Sequence, residues 1–235
     1  MLENFNITSL LLKRQVKISV YLPKNYNSNT DTYNSIFLLD GQNVFYDNYS
    51  DSGVSMKLAS SLDETAANVI VFAIHSPKNN DWRLSEFIPF KTSNDKMDIN
   101  LAFKFVDFIN ESLLPLLEYR YRLNDNKMLI GFNEGAISAA YLSSHIDKFN
   151  YIGLFSPIIE LCSEESISLF KNIIHKKIIH LYYGGLDEEI SNMGYKIFME
   201  LDSTNNQNII FDYEANEVND LTSWKKHIIS IINKM

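Results

Sequence analysis

Hydrophobic positions along the chain fall into two alternating rhythms. Near the start, Val16, Ile18 and Val20 alternate with Lys17, Ser19 and Tyr21, the period of a half-exposed strand. With the segment Phe5–Leu12 and a turn at Lys13–Gln15, this predicts a leading hairpin. After the turn-rich stretch Pro23–Tyr33 the pattern changes to short, continuous apolar runs. These are Ser35–Leu39, Val69–Ile74, Lys127–Ile130, Tyr151–Phe155, Lys177–Tyr183 and Asn208–Tyr213. Runs of that length suit central strands covered on both faces.

Helical spacing appears between the runs. In Asp98–Leu117, the apolar residues Leu101, Phe105, Phe108 and Ile109 form one stripe, with Lys104, Asp107 and Asn110 off it. Val54–Leu62, Glu134–His145, Glu164–Ile174, Glu188–Leu201 and Leu221–Asn233 read as further helices. Strands alternating with helices predict an α/β fold with a mainly parallel sheet, an antiparallel edge from the hairpin, and helices on both faces. No repeat or Pro/Gly-rich linker divides the chain, so one domain over residues 1–235 is expected. In such folds the chemistry gathers on loops at the carboxyl ends of strands. Here those loops are Asp40–Phe45, His75–Arg83, Gly131–Gly135, Ser156–Glu160, Gly184–Glu188 and Glu214–Leu221.

Composition narrows the function classes. The 21 basic and 29 acidic residues give a net charge of −8, without a Lys/Arg-rich block, which argues against nucleic-acid and anionic-membrane binding. The single cysteine, Cys162, has no internal disulfide partner. The N-terminal apolar stretch is short and preceded by Glu3, unlike a signal peptide or membrane anchor; a cytoplasmic location is the expectation. No His-x-x-x-His or Cys-x-x-Cys spacing predicts a metal, and no phosphate-binding glycine loop or other cofactor motif is found.

The most informative segment is Lys127–Ala136, where an apolar strand enters Gly-x-Asn-x-Gly and runs straight into a small-residue helix. That is the layout of a nucleophile elbow, Gly-x-Ser-x-Gly, with Asn133 at the middle position. A carboxamide is a poor nucleophile and has no hydroxyl proton for a histidine to remove.

Residues 110–157, with "VYLPKNY" at Val20–Tyr26, "LLDGQNVF" at Leu38–Phe45 and "WRLSEFIP" at Trp82–Pro89, strongly resemble the putative-esterase family of α/β-hydrolases. Esterase D-type, enterochelin esterase-type and mycolyltransferase-type proteins belong to it. The resemblance spans nearly the whole chain in order, and implies the α/β-hydrolase fold. It also implies that the triad acid stands at Asp187, with Glu188 and Glu189 as neighbours, and that the histidine position holds Asn219, five residues before Trp224. Asparagine does not shuttle a proton near neutral pH. The implied oxyanion donors are the N–H groups of Gln42, after Gly41, and Glu134, whose charge is expected to oppose an oxyanion.

Other groups offer bland readings. Ser138 reads as a packing residue, Cys162 as a buried inert thiol, and His145, His175 and His180 as parts of packing elements. His75, at a strand end, is the best spare base, and His227 could lean toward the pocket from the last helix. Arg83 and Glu86 read first as a structural ion pair, and with His75 and Trp224 they are expected around the site. The expectation is a pseudoenzyme of the serine-esterase type. Its pocket would be lined by Gly41, Gln42, Asn133, Glu134, Asp187 and Asn219, and would hold a small polar molecule, or the domain would bind a protein partner. The alternative is a carboxylic-ester hydrolase in which a carboxylate activates a water.

Overall fold

A computed structural model describes residues 1–92, 96–160, 162–202 and 207–234. The leading hairpin is β1 (Leu2–Ser9) and β2 (Arg14–Tyr21), antiparallel, with Leu2 opposite Tyr21. Parallel strands follow: β3 (Tyr33–Leu38), β4 (Val69–Ile74), β5 (Leu123–Phe132), β6 (Tyr151–Phe155), β7 (Ile178–Gly184) and β8 (Ile209–Glu214). They form one eight-stranded sheet ordered β1-β2-β4-β3-β5-β6-β7-β8. β2 meets β4 antiparallel, and all later pairings are parallel. Five of the six continuous apolar runs are interior strands and the alternating run is in the hairpin, as their patterns predict; the sixth, Asn208–Tyr213, is instead the edge strand β8, none of whose residues is buried.

Alternate residues of each strand feed two apolar cores. Phe37 and Leu129 join one core with Phe105, Leu113, Ile137 and Leu142. Ile36, Leu38, Met128 and Ile130 join the other with Leu58, Leu62, Trp224, Ile228 and Ile232. Both faces of the sheet are thus covered, which is why its strands carry no polar alternation.

The helices are α1 (Leu58–Glu64), α2 (Asn80–Phe87), α3 (Asn100–Asp107), α4 (Leu114–Arg120), α5 (Glu134–His145), α6 (Ser163–Ile174), α7 (Glu188–Asp202) and α8 (Leu221–Ile232). α3 passes into α4 through a π-helical stretch, Phe108–Leu113, just before Pro115. Proline supplies no N–H to the ladder, so the turn preceding it is free to widen. The segment His75–Arg83, read from sequence as a loop, is helical from Asn80: the Asn79 side chain caps α2 by accepting the Trp82 N–H at 2.9 Å. No helix among the described residues is long and apolar enough to cross a membrane.

Candidate functional site

Three neighbouring strands end in the same unusual way. The residues that follow β3 and β6, and the residue after β5, all have positive φ: Asp40 (53°), Ser156 (49°) and Asn133 (52°). For non-glycine residues this backbone is strained, by about 1–3 kcal/mol each, and persists only where surroundings enforce it. At Asn133 two bonds do so. Its N–H donates to Phe155 O at 3.0 Å and its carbonyl accepts the Ala136 N–H at 3.1 Å. The turn also needs Gly131, where a Cβ would lie 1.9 Å from the Gly135 carbonyl oxygen. The chain therefore makes the strand–turn–helix elbow that the sequence pattern predicts, with Asn133 at its apex.

Beside the apex lies a buried ionic network. Arg83, on α2, donates from Nε and Nη2 to the two Asp40 oxygens at 2.8 and 2.6 Å. Its Nη1 lies 3.2 Å from Glu134 Oε2. Burial alone would lower the guanidinium pKa, but the bonds and charges of Asp40 and Glu134 together hold it above its ordinary value. The Glu134 charge is thus countered by Arg83, which sequence reasoning did not foresee. Ser76 Oγ donates to Asp40 at 2.6 Å. Gln42 links the same group to Asp51, through bonds of 2.9 Å to Ser76 Oγ and to Asp51 Oδ2. Gly41 and Gln42 are buried within a short 3-10 turn, Gly41–Asn43.

Arg83 and Glu86 do not pair with each other. Glu86 is instead bridged twice at 2.7 Å by Arg14 of β2. One helical turn separates them, yet they face different neighbours, because α2 runs between the hairpin and the elbow. Burial raises the Glu86 pKa, and the Arg14 hydrogen bond and charge oppose that rise.

The spare histidines are engaged with other partners. The Ser19 hydroxyl proton goes to Asn4 Oδ1 at 2.6 Å, so His75 Nε2 supplies the proton of its 2.9 Å contact with Ser19. Burial, then the charges of Lys17 and Arg14, lower the His75 pKa to about 4. His227 packs on Tyr182 with ring centroids 4.0 Å apart and contacts Glu217 at 3.1 Å. Ser138 is buried, and the Cys162 thiol is buried with its pKa raised.

The position expected of the base is occupied in an unforeseen manner. Asn219 Oδ1 accepts from the Gly184 N–H at 2.8 Å and from Ser156 Oγ at 2.6 Å, while its Nδ2 donates to the Gly184 carbonyl at 3.0 Å. The loop sits so close that a Cβ on Gly184 would meet the Glu217 carbonyl at 2.5 Å. Ser156, fully buried, also accepts from Trp224 Nε1 at 3.0 Å. Asp187 is exposed, and its carboxylate accepts the Ile190 N–H at 3.2 Å as a helix cap. Ser156, Asp40, Ser76 and Asp51 were not singled out from sequence. The first two carried a faint signal as the residues at which apolar strands stop.

These elements border an open cavity of about 710 Å³. Its wall includes Asp40, Asn43, Tyr49, Asp51, Lys78, Asn80, Arg83, Asn133, Glu134 and Trp224. Trp224 is stacked on Phe132 at 4.9 Å. Of the residues expected to line the pocket, Gly41, Gln42, Asp187 and Asn219 are not in that wall. No group of three or more metal-ligating side chains is found among those residues.

Known structures share this architecture at low identity. An IroE-like serine hydrolase from Shewanella oneidensis is 19% identical with a TM-score of 0.76, the match covering 98% of this chain and 80% of that one. The BES protein from Bacillus cereus is also 19% identical with a TM-score of 0.76, covering 98% and 94%. The enterobactin esterase FES from Shigella flexneri, solved with enterobactin, is 14% identical with a TM-score of 0.74. That match covers all of this chain but 58% of that enzyme. At such identities the likeness speaks for the fold. No curated protein matches the chain. The model of the putative-esterase family matches residues 9–226. With nearly its whole length matched, in an α/β-hydrolase fold with an asparagine at the elbow, this chain belongs to the putative-esterase family.

Proposed function

We propose that this esterase-family domain does not work as a serine esterase and instead uses the cavity at the elbow to bind a small polar molecule. The observation that carries this reading is the commitment of Asn219. Both acceptor positions of its carbonyl oxygen and one amide proton are used by Gly184 and Ser156, so the group at the base position serves the loop. Asn133 supplies no nucleophile, and Asp187 caps a helix. The cavity wall carries three carboxylates, Asp40, Asp51 and Glu134, against Arg83 and Lys78, with carboxamides at Asn43, Asn48, Asn80 and Asn133. That balance favours a neutral or cationic polar ligand over an anionic acyl ester.

A second reading keeps hydrolysis, with a cavity carboxylate activating a water. The location of Glu134 in the wall favours it, but Arg83 already draws on that carboxylate. The test is hydrolysis of 4-nitrophenyl acetate by the purified chain beside Asn133→Ser/Asn219→His. Under the first reading the natural chain stays at the buffer rate. Turnover by the natural chain that Glu134→Gln abolishes would establish the second reading and overturn the first.

A further inference from the structure

β8 closes the sheet on the side away from the hairpin, and among the described residues no strand lies beyond it. None of its six residues is buried. The direction of its backbone groups follows from two bonds. The Asn208 carbonyl accepts the Ile179 N–H at 2.7 Å, and the Glu214 carbonyl accepts the Gly185 N–H at 2.8 Å. Backbone groups of successive strand residues point to opposite sides. Asn208, Ile210, Asp212 and Glu214 therefore face β7, while Ile209, Phe211 and Tyr213 turn their N–H and C=O groups outward. Such an edge is a template for another strand.

We propose that the occupant is a second copy of this chain, its β8 paired antiparallel with this one about a two-fold axis at Phe211. Hydrogen-bonded and non-bonded pairs alternate along an antiparallel ladder, and a two-fold requires symmetry mates to be of the same type. The axis must then pass through a residue facing itself. At Phe211 it matches the outward residues only with one another: Phe211 with Phe211, and Ile209 with Tyr213 of the second copy. All outward N–H groups of both β8 strands then find carbonyls. The same register sets Asp212 opposite Ile210 and Glu214 opposite Asn208, so no like charges oppose each other directly. An axis at Asp212 would place two carboxylates face to face. An axis at Ile210 would pair Tyr213 with Gln207, which lies outside the strand.

The flanking surface suits the same occupant. Phe211 stacks on Phe198 of α7 at 4.3 Å and on Tyr213 at 6.4 Å, so the outward residues put their side chains on the α7 face. On that side Tyr195 is 60% exposed, Met199 49% and Tyr213 49%; on the opposite face Ile210 is 43% exposed. An axis perpendicular to the sheet keeps α7 of both copies on one face, where their apolar residues border the joined strands.

Sedimentation equilibrium of the full chain at rising concentration, to the high micromolar range, tests this. The expected particle has twice the 27.2 kDa chain mass. Ile209→Pro removes an outward N–H and spares the ladder to β7, because proline is tolerated where an edge N–H faces out. Ile210→Glu alters no backbone group and sets a carboxylate opposite Asp212 of the second copy. Each variant is expected to weaken the dimer roughly tenfold or more, with an unchanged far-ultraviolet circular dichroism spectrum. A one-chain mass at every concentration, or a dimer that neither variant weakens, would overturn the proposal.

Discussion

Asn219 grips both backbone groups of Gly184: it accepts that residue's N–H at 2.8 Å and donates to its carbonyl at 3.0 Å. The loop after β8 is thereby bonded to the end of β7, and Ser156 ties the same side chain to β6. A residue that reads in sequence as the remnant of a base is, in the fold, a three-bond clasp between strand ends.

An imidazole has no carbonyl-like oxygen to accept twice beside a donor. Asn219→His is therefore expected to cost about 1–3 kcal/mol of stability, by leaving the Gly184 and Ser156 groups short of partners. Urea denaturation of the variant beside the natural chain measures it. An unchanged midpoint would mean that the clasp bonds contribute nothing net.

Arg83 is the one cation that bonds both Asp40 and Glu134 among the described residues. Arg83→Ala leaves a buried carboxylate uncompensated, and a loss of about 3–5 kcal/mol is expected. Arg83→Lys should recover only part of this, since an ammonium does not reproduce the two parallel bonds to Asp40. Equilibrium unfolding of the three proteins should rank them Arg, Lys, Ala.

Asn133 holds φ 52° and ψ −120° at the elbow apex. Glycine adopts that backbone without a Cβ penalty, so Asn133→Gly is expected to raise stability by about 1 kcal/mol, after its extra unfolded-state entropy is deducted. A thermal melt that moves downward instead would show that the carboxamide makes a compensating contact.

Burial and the charges of Lys17 and Arg14 lower the His75 pKa to about 4 in the fold, from about 6.5 for an unperturbed imidazole. The unfolded chain takes up a proton below pH 6.5 while the folded one does not. The contribution to stability is therefore complete above pH 6.5 and is lost as pH falls toward 4, up to about 3 kcal/mol. His75→Gln should show a shallower fall between pH 7 and 4 than the natural chain in matched urea titrations. Parallel curves would remove His75 as the cause.

Much of the architecture was legible in the residues. Five continuous apolar runs announced interior strands because a sheet covered on both faces has no polar side to alternate with; the sixth, β8, became an edge. Lys127–Ala136 announced the elbow because a sharp strand-to-helix turn needs small residues flanking its apex. The helix at Asn80–Phe87 was not legible: of its four buried residues only Leu84 and Phe87 are apolar, while Ser85 and Glu86 are held by hydrogen bonds and an ion pair that spacing does not reveal.

The sequence by itself determined which chemistry the elbow lacks, since a carboxamide at position 133 has neither a nucleophilic oxygen nor a proton to give. Only the tertiary structure decided the partners. It joined Arg83 to Asp40 across 43 positions, Arg14 to Glu86 across 72, and Asn219 to Ser156 across 63. Those pairings depend on side-chain direction at strand ends that the β-strand order brings together. Spacing along a chain fixes local period, but it does not fix which strand becomes the neighbour.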